Sequence, residues 1–378
     1  MRIKWIDGLK GLASLMIFFH HFILVFIPAL YYGNTVKTNL FANEGSLADS
    51  PFLFFVGGHF LVSLFLMLSG LVLSLQVYRI ESIKELLSKI ITRYLRLALP
   101  VFIISLIVYI MMRFDLFYHN SIIDQTGSPW LQLFYQIPLG LKSVFETSFY
   151  SVWFVGNDTF STAFWMLTHL FYGSLLTYGV IYLNRNYKPR FQLIFILTVL
   201  LISTVLDSYL VNFTYGMLLA WMIQHNIDLI RSKMIISMIL IIGIFLAGFP
   251  QGVQPTNFYS IFLFLNEFIT ASIHIHALGA FLIILSIQQL TLFKSILEHS
   301  YPQMLGRISY SIYLIHIPLL FSFSTYLFMV INHYSLNYGI SIFIVFVTSL
   351  SVLLLISWLF EKYLVAVISK YTKTILTL

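Results

Sequence analysis

Two adjacent histidines, His20 and His21, lie deep inside the first apolar run of the chain, WIDGLKGLASLMIFFHHFILVFIPAL. A histidine in hydrocarbon is costly and normally faces a protein interior or a water-filled cavity, so by default it marks a functional site. Neutral imidazole is also the side chain best suited to general-base work near neutral pH. At about 100° per residue, Asp7, Lys10, Ser14 and His21 fall on one stripe of a helix. Lys10 and His21 are then three turns apart, roughly 16 Å of rise. A polar seam is therefore expected to run from the membrane surface toward its middle. Asp7 equally fits a helix N-terminus, where a carboxylate complements the dipole, and Lys10 equally fits the positive-inside rule. Spacing does not choose between these readings.

Other residues carry weaker signals. His59, His169, His274 and His276 fall near the outer ends of apolar runs, His316 near the middle of one, and His225 and His299 near the opposite face. For His59, His274 and His276 the simplest expectation is a hydrogen-bonded contact between helices. The stretch RIESIKELLSKIITRYLRLALP carries Arg79, Lys84, Lys89, Arg93 and Arg96. Arg93 and Arg96 are three apart and share a helix face. Paired guanidinium groups suit a phosphate-rich ligand, although lipid head groups attract the same residues. No glycine-rich phosphate loop, zinc-type cluster or GxSxG nucleophile elbow is present, so no metal site is expected. The chain has no cysteine, which excludes disulfides and thiolate nucleophiles.

The elements that must position these residues are membrane helices. Of 378 residues, 59% are hydrophobic and only 9% charged, against about 25% charged in soluble domains. Mean hydropathy is +0.91. Apolar runs long enough to cross a bilayer recur along the whole chain. They are read as ten spans, at about 8–30, 53–78, 94–113, 162–183, 190–206, 208–224, 234–249, 272–292, 308–331 and 339–360. The fold class is thus all-α and polytopic, a single domain over 1–378. The first run is long, carries histidines and lacks a small-residue cleavage site, so it is read as a span and not a signal peptide.

Segments 2–10, 79–96, 185–190, 231–233, 294–307 and 362–373 hold 18 of the 21 Lys and Arg residues, and the alternate connections hold only Lys37, Arg113 and Lys142. This alternation places both termini in the cytoplasm. It also accounts for the net charge of +7 without a nucleic-acid partner. Residues 130–149, WLQLFYQIPLGLKSVFETSF, contain Pro138, Lys142 and Glu146. Counting them as a span would break the alternation, so they are read as an interfacial or re-entrant piece on the extracytoplasmic side.

Five blocks in order resemble a known family. WIDGLKGLASLMIFFHH resembles the opening of the membrane acyltransferase 3 family, an IDGLRALA-like stretch followed by a transmembrane histidine. FFVGGHFLVSLFLMLSGLVLS resembles its FF-x-LSGF-x-L second span, and RYLRLALPVF its Arg-x-x-Arg approach to the third. NDTFSTAFWMLTHLFYGSLL is similar to its N-x-x-LW-x-L-x-x-E-x-x-GS segment, and GRISYSIYLIHIPLL to its GKISYSIYLIH-P signature. The resemblance runs from residue 5 to about 320.

It implies an integral-membrane enzyme of the plasma membrane that moves an acyl group, usually acetyl from acetyl-CoA, onto a hydroxyl of a surface or exported glycan or small molecule. Acyl-CoA would be a co-substrate, with no bound cofactor; oligomeric state is not implied. The family motif of Arg, ten residues, then His aligns with Lys10 and His21. His21, with Lys10 and Asp7, would then be catalytic, Arg93 and Arg96 would hold the CoA phosphates, and Trp165 and His169 would line the acceptor side. Two positions depart from the family. Lys10 keeps the charge of the usual Arg but loses its bidentate fork, and Leu170 occupies the place of the usual acidic residue, with His169 beside it. Either His169 substitutes or the acceptor differs; an inactive homologue, for instance a membrane sensor or scaffold, is a third reading. Apart from the resemblance, the same histidines would suit the proton relay of a transporter or exporter.

Overall fold

In hydrocarbon each backbone N–H and C=O must find its partner within the protein, so long apolar runs fold as helices. The structure, a computed structural model, describes residues 3–135, 139–227 and 232–377, with side chains to residue 372. Among these residues there are helices and turns and no strand. The principal helices are α1 (Lys4–Phe26), α2 (Gly58–Val77), α3 (Ile83–Arg113), α4 (Thr162–Asn184), α5 (Pro189–Val205), α6 (Leu210–Gln224), α7 (Lys233–Ala247), α8 (Ala271–Gln289), α9 (Ser300–Asn332) and α10 (Tyr338–Thr372). Each overlaps one of the ten runs read from the sequence, although α3 begins 11 residues before its run (83 against 94) and α10 ends 12 residues after its run (372 against 360). Seven of them are long and apolar enough to cross a membrane. The other three, α5 to α7, have 17, 15 and 15 residues, about 22–26 Å at 1.5 Å per residue and short of the ~30 Å hydrocarbon core.

Helix α3 begins well before its apolar part. Ser82 accepts from Glu85 N at 3.2 Å and the Glu85 carboxylate accepts from Glu81 N at 3.3 Å, a reciprocal cap that starts the helix at the basic stretch. Arg93 and Arg96 therefore stand on a continuous helix, ahead of Pro100. The described part of segment 130–149 forms no span-length helix. It holds a short turn at Pro129–Leu133, a helix at Leu141–Glu146 and a π-turn at Thr147–Ser151; Pro138 lies outside the described residues, as do Arg2, Arg231 and the Lys373 side chain among the basic positions.

The chain divides into two compact units. The first comprises Met1–Ala13, Asp49–Ile91 and His169–Gly306. Within it the start of α1 meets the start of α9 backbone to backbone: a Cβ at Gly11 would lie 2.5 Å from Gly306 N. Helices α2 and α6 approach as closely, since a Cβ at Gly70 would lie 2.7 Å from Phe213 O. Small residues are what allow such packing where lipid offers no hydrophobic drive between helices.

The second unit comprises Ser14–Ala48, Thr92–Thr168 and Arg307–Leu378. Its loops close the end of α1, whose last carbonyls have no partner within the helix. Ser128 Oγ donates to Leu24 O at 2.6 Å and Tyr338 OH to Phe26 O at 2.6 Å. Asn39 Nδ2 donates to Thr126 O at 2.7 Å, and the buried Glu44 carboxylate accepts from Asn39 N and Leu40 N at 2.6 and 2.8 Å. Together these bonds fix the segment around Trp130 against α1.

Candidate active site

His21 is held in the second unit by four neighbours. Its Nδ1 lies 3.0 Å from Ile17 O, one turn back on α1, and 3.2 Å from His316 Nε2 on α9. The Trp130 ring lies 5.2 Å from the His21 ring, tilted by 33°. His20 packs edge-on against His21 at 4.7 Å and against Tyr31 at 5.6 Å. His20 is buried, 6% exposed, whereas His21 is half-buried. The residue that the ten-residue spacing selects is thus the one with more access to its surroundings.

The carbonyls fix where the protons sit. A carbonyl oxygen only accepts, so His21 Nδ1 must carry hydrogen to bond Ile17 O. His316 Nδ1 lies 2.7 Å from Tyr313 O and 3.2 Å from Ile312 O, so it too must carry hydrogen. His316 Nε2 is then a lone pair, and it accepts from His21 Nδ1–H. The remaining nitrogen of His21, Nε2, is left with its lone pair and makes no hydrogen bond to a described residue. A neutral imidazole whose Nδ1 is engaged and whose Nε2 is basic has the arrangement a general base requires.

The surroundings of this dyad are aromatic. Phe321 sits 5.0 Å from Trp130 and stacks on His119 at 5.0 Å. His119 Nε2 donates to Phe134 O at 3.1 Å; burial pushes its pKa down, partly offset by that bond. Burial, with a smaller effect of Tyr32, pushes the Tyr31 hydroxyl up to about 12, so it stays protonated beside His20.

The other predicted residues fall in separate places. Asp7 and Lys10 occupy the first turns of α1 within the first unit, both half-buried, and Asp7 O abuts Gly306. Arg93 is half-buried and Arg96 exposed on α3. Arg96 acts electrostatically on Glu361 of α10, whose carboxylate accepts from Ser311 at 2.9 Å. Arg93 acts on Tyr310, whose hydroxyl donates to Leu97 O at 2.9 Å. The arginine pair therefore has a carboxylate neighbour that the sequence reading did not anticipate. Trp165 and His169 are half-buried and one turn apart on α4, and Leu170 is buried. His169 lies ring to ring with Tyr209 at 4.9 Å, and Tyr209 OH is bonded to His59 Nδ1 at 2.7 Å. His276 Nε2 donates to Phe249 O at 3.0 Å, and His274 Nε2 lies 2.9 Å from Asp207 Oδ1. Among the described residues no group of three His, Asp or Glu could hold a metal ion.

Sequence reasoning missed two members of the His21 surroundings. His316 had a signal, an intramembrane histidine two residues before Pro318 in SYSIYLIHIP, but nothing in one dimension pairs residues 21 and 316. Trp130 lies in the segment read as interfacial or re-entrant, and the loop bonds bring it to α1.

A comparison with family profiles matches residues 3–362 to an acyltransferase domain. No curated protein and no solved structure matches the chain. A match over nearly the entire length, on an all-helical chain with seven helices fit to cross a membrane, agrees with the motif blocks around Lys10, His21, Arg93, Arg96, Trp165 and His316. The chain belongs to the membrane acyltransferase 3 family.

Proposed function

We propose that this protein is an integral-membrane O-acyltransferase that moves an acyl group, acetyl in the simplest case, from acyl-CoA to a hydroxyl of an exported or surface glycan or small molecule. The observation that carries the reading is the His21–His316 arrangement, which leaves His21 Nε2 as a base on a half-buried ring. In the reaction the acceptor oxygen attacks the thioester carbonyl, the C–O bond forms and the C–S bond breaks. The hydroxyl proton passes to His21 Nε2 and from there to the departing CoA thiolate. Such general-base help is worth typically 10²–10⁴ in rate. Arg93 and Arg96 suit the CoA phosphates, and Lys10 and Asp7 lie on the same helix as His21, in its first turns. Trp165 and His169 suit the acceptor side.

The topology that accompanies this reading is ten spans with both termini in the cytoplasm of a plasma-membrane protein. The basic residues support it by their alternation, which puts the arginine pair on the side where acyl-CoA is found.

The test uses purified full-length protein in liposomes, with acetyl-CoA and a panel of hydroxyl acceptors such as hexoses, amino sugars and glycerol. Released CoA is read with a thiol reagent, against no background because the protein has no cysteine. Acceptor-stimulated CoA release is expected. Gradient-driven uptake of a panel compound without CoA release would overturn the reading in favour of transport, and neither event would make the protein a non-catalytic member.

A further inference from the structure

We propose that His316 is the positioning residue of the catalytic base: it accepts the His21 Nδ1 hydrogen, fixes the tautomer that exposes Nε2, and stabilises the imidazolium formed in the reaction. The inference rests on the reading of His21 as the base. His316 is fully buried on α9, and its own proton is committed to Tyr313 O at 2.7 Å and Ile312 O at 3.2 Å. The ring can therefore turn only a lone pair toward His21, 3.2 Å away. Tyr313 is anchored in turn by a hydroxyl bond to Ala163 O. Two residues beyond His316, Pro318 lacks the N–H that would pair with Leu314 O, and a π-turn follows at Leu320–Ser324. Such bulges recur at functional sites, where they re-aim side chains.

Ile17 O cannot do this alone. As an α-helical carbonyl it already accepts the His21 backbone N–H, so the side chain shares an occupied acceptor. When His21 takes the hydroxyl proton, the new charge spreads over a ring whose Nδ1–H points at the His316 lone pair. No second proton and no further reactant is needed.

The experiment compares His316→Phe, which keeps a ring and removes the acceptor, with His316→Gln, whose amide oxygen reaches the place of Nε2. The readout is acetyl-CoA-dependent CoA release, with His21→Ala alongside. Loss of a buried acceptor worth about 1–3 kcal/mol corresponds to roughly 5- to 150-fold. His316→Phe is expected to lose that factor in kcat with both KM values unchanged, His316→Gln to recover most of it, and His316→Phe to add nothing in the His21→Ala background. Equal loss in Phe and Gln variants, or unchanged kcat in both, overturns the assignment. If the variants fail to fold, ¹⁵N shifts of His21 in the unsubstituted protein, assigned by difference against His21→Gln, decide it: a protonated Nδ1 with bare Nε2 supports the inference, and a protonated Nε2 overturns it. Full activity in His21→Ala instead sinks the general-base reading itself.

Discussion

Substituting the two adjacent histidines one at a time separates the reacting group from the buried neighbour that supports it. His21→Ala removes the base and should lower kcat by 10²–10⁴, or about 3–5.5 kcal/mol of barrier. It also leaves His316 Nε2 without its donor, at a cost of about 1–3 kcal/mol in stability, read as a fall of a few degrees in Tm. His20→Ala removes a buried ring that packs on His21 at 4.7 Å and Tyr31 at 5.6 Å. Its cost is that of losing a buried ring with its contacts, about 0.5–3 kcal/mol, with no direct loss of a reacting group. The two variants should therefore show comparable Tm shifts and kcat values at least tenfold apart. The assay is CoA release in liposomes at saturating acetyl-CoA, with detergent-solubilised Tm measured on the same preparation. A folded His21→Ala protein with kcat within threefold of the unsubstituted protein, or a folded His20→Ala protein as inactive as His21→Ala, would refute the reasoning.

Changing Arg93 and Arg96 to alanine together should raise the KM for acetyl-CoA by at least roughly 10- to 100-fold, since a single charge-assisted bond to phosphate is worth about 1.5–3 kcal/mol, and leave the acceptor KM nearly unchanged; equal increases for both substrates would make the pair structural, as its electrostatic coupling to Glu361 and Tyr310 also permits. In the first unit, burial would raise the Asp207 carboxyl, but bonds from the Thr270 hydroxyl and N–H and from His274 outweigh it and hold its pKa below the usual range. A depressed carboxylate contributes stability above its unfolded value near 3.8 and loses it as pH falls through the folded value. Asp207→Asn should therefore melt below the unsubstituted protein at pH 7, with the gap closing only below about pH 4; a gap that stays constant down to pH 3 would contradict this.

The sequence by itself determined the all-helical membrane class, the approximate place of the principal helices and the family. These follow from local quantities: apolar run length, because hydrocarbon obliges each segment to satisfy its own backbone, and short motifs whose residues are near neighbours on one helix. The stripe from Lys10 to His21 and the shared face of Arg93 and Arg96 are of this kind. Length also marks the limit of that legibility, since α5, α6 and α7 read as spans by hydropathy yet fold as helices shorter than the hydrocarbon core. The tertiary structure alone decided what stands next to His21. His316 is 295 residues away along the chain, and its role depends on which of its nitrogens faces two carbonyls of its own helix. Trp130 reaches the site because Ser128 and Asn39 tie a loop to the last turn of α1 and to its neighbouring loop. Glu361 comes within electrostatic range of Arg96 for the same reason: the fold brings together residues whose separation in sequence carries no periodic signal. A proton's place on a ring is set by geometry of a few tenths of an ångström, and no pattern of residue types encodes that.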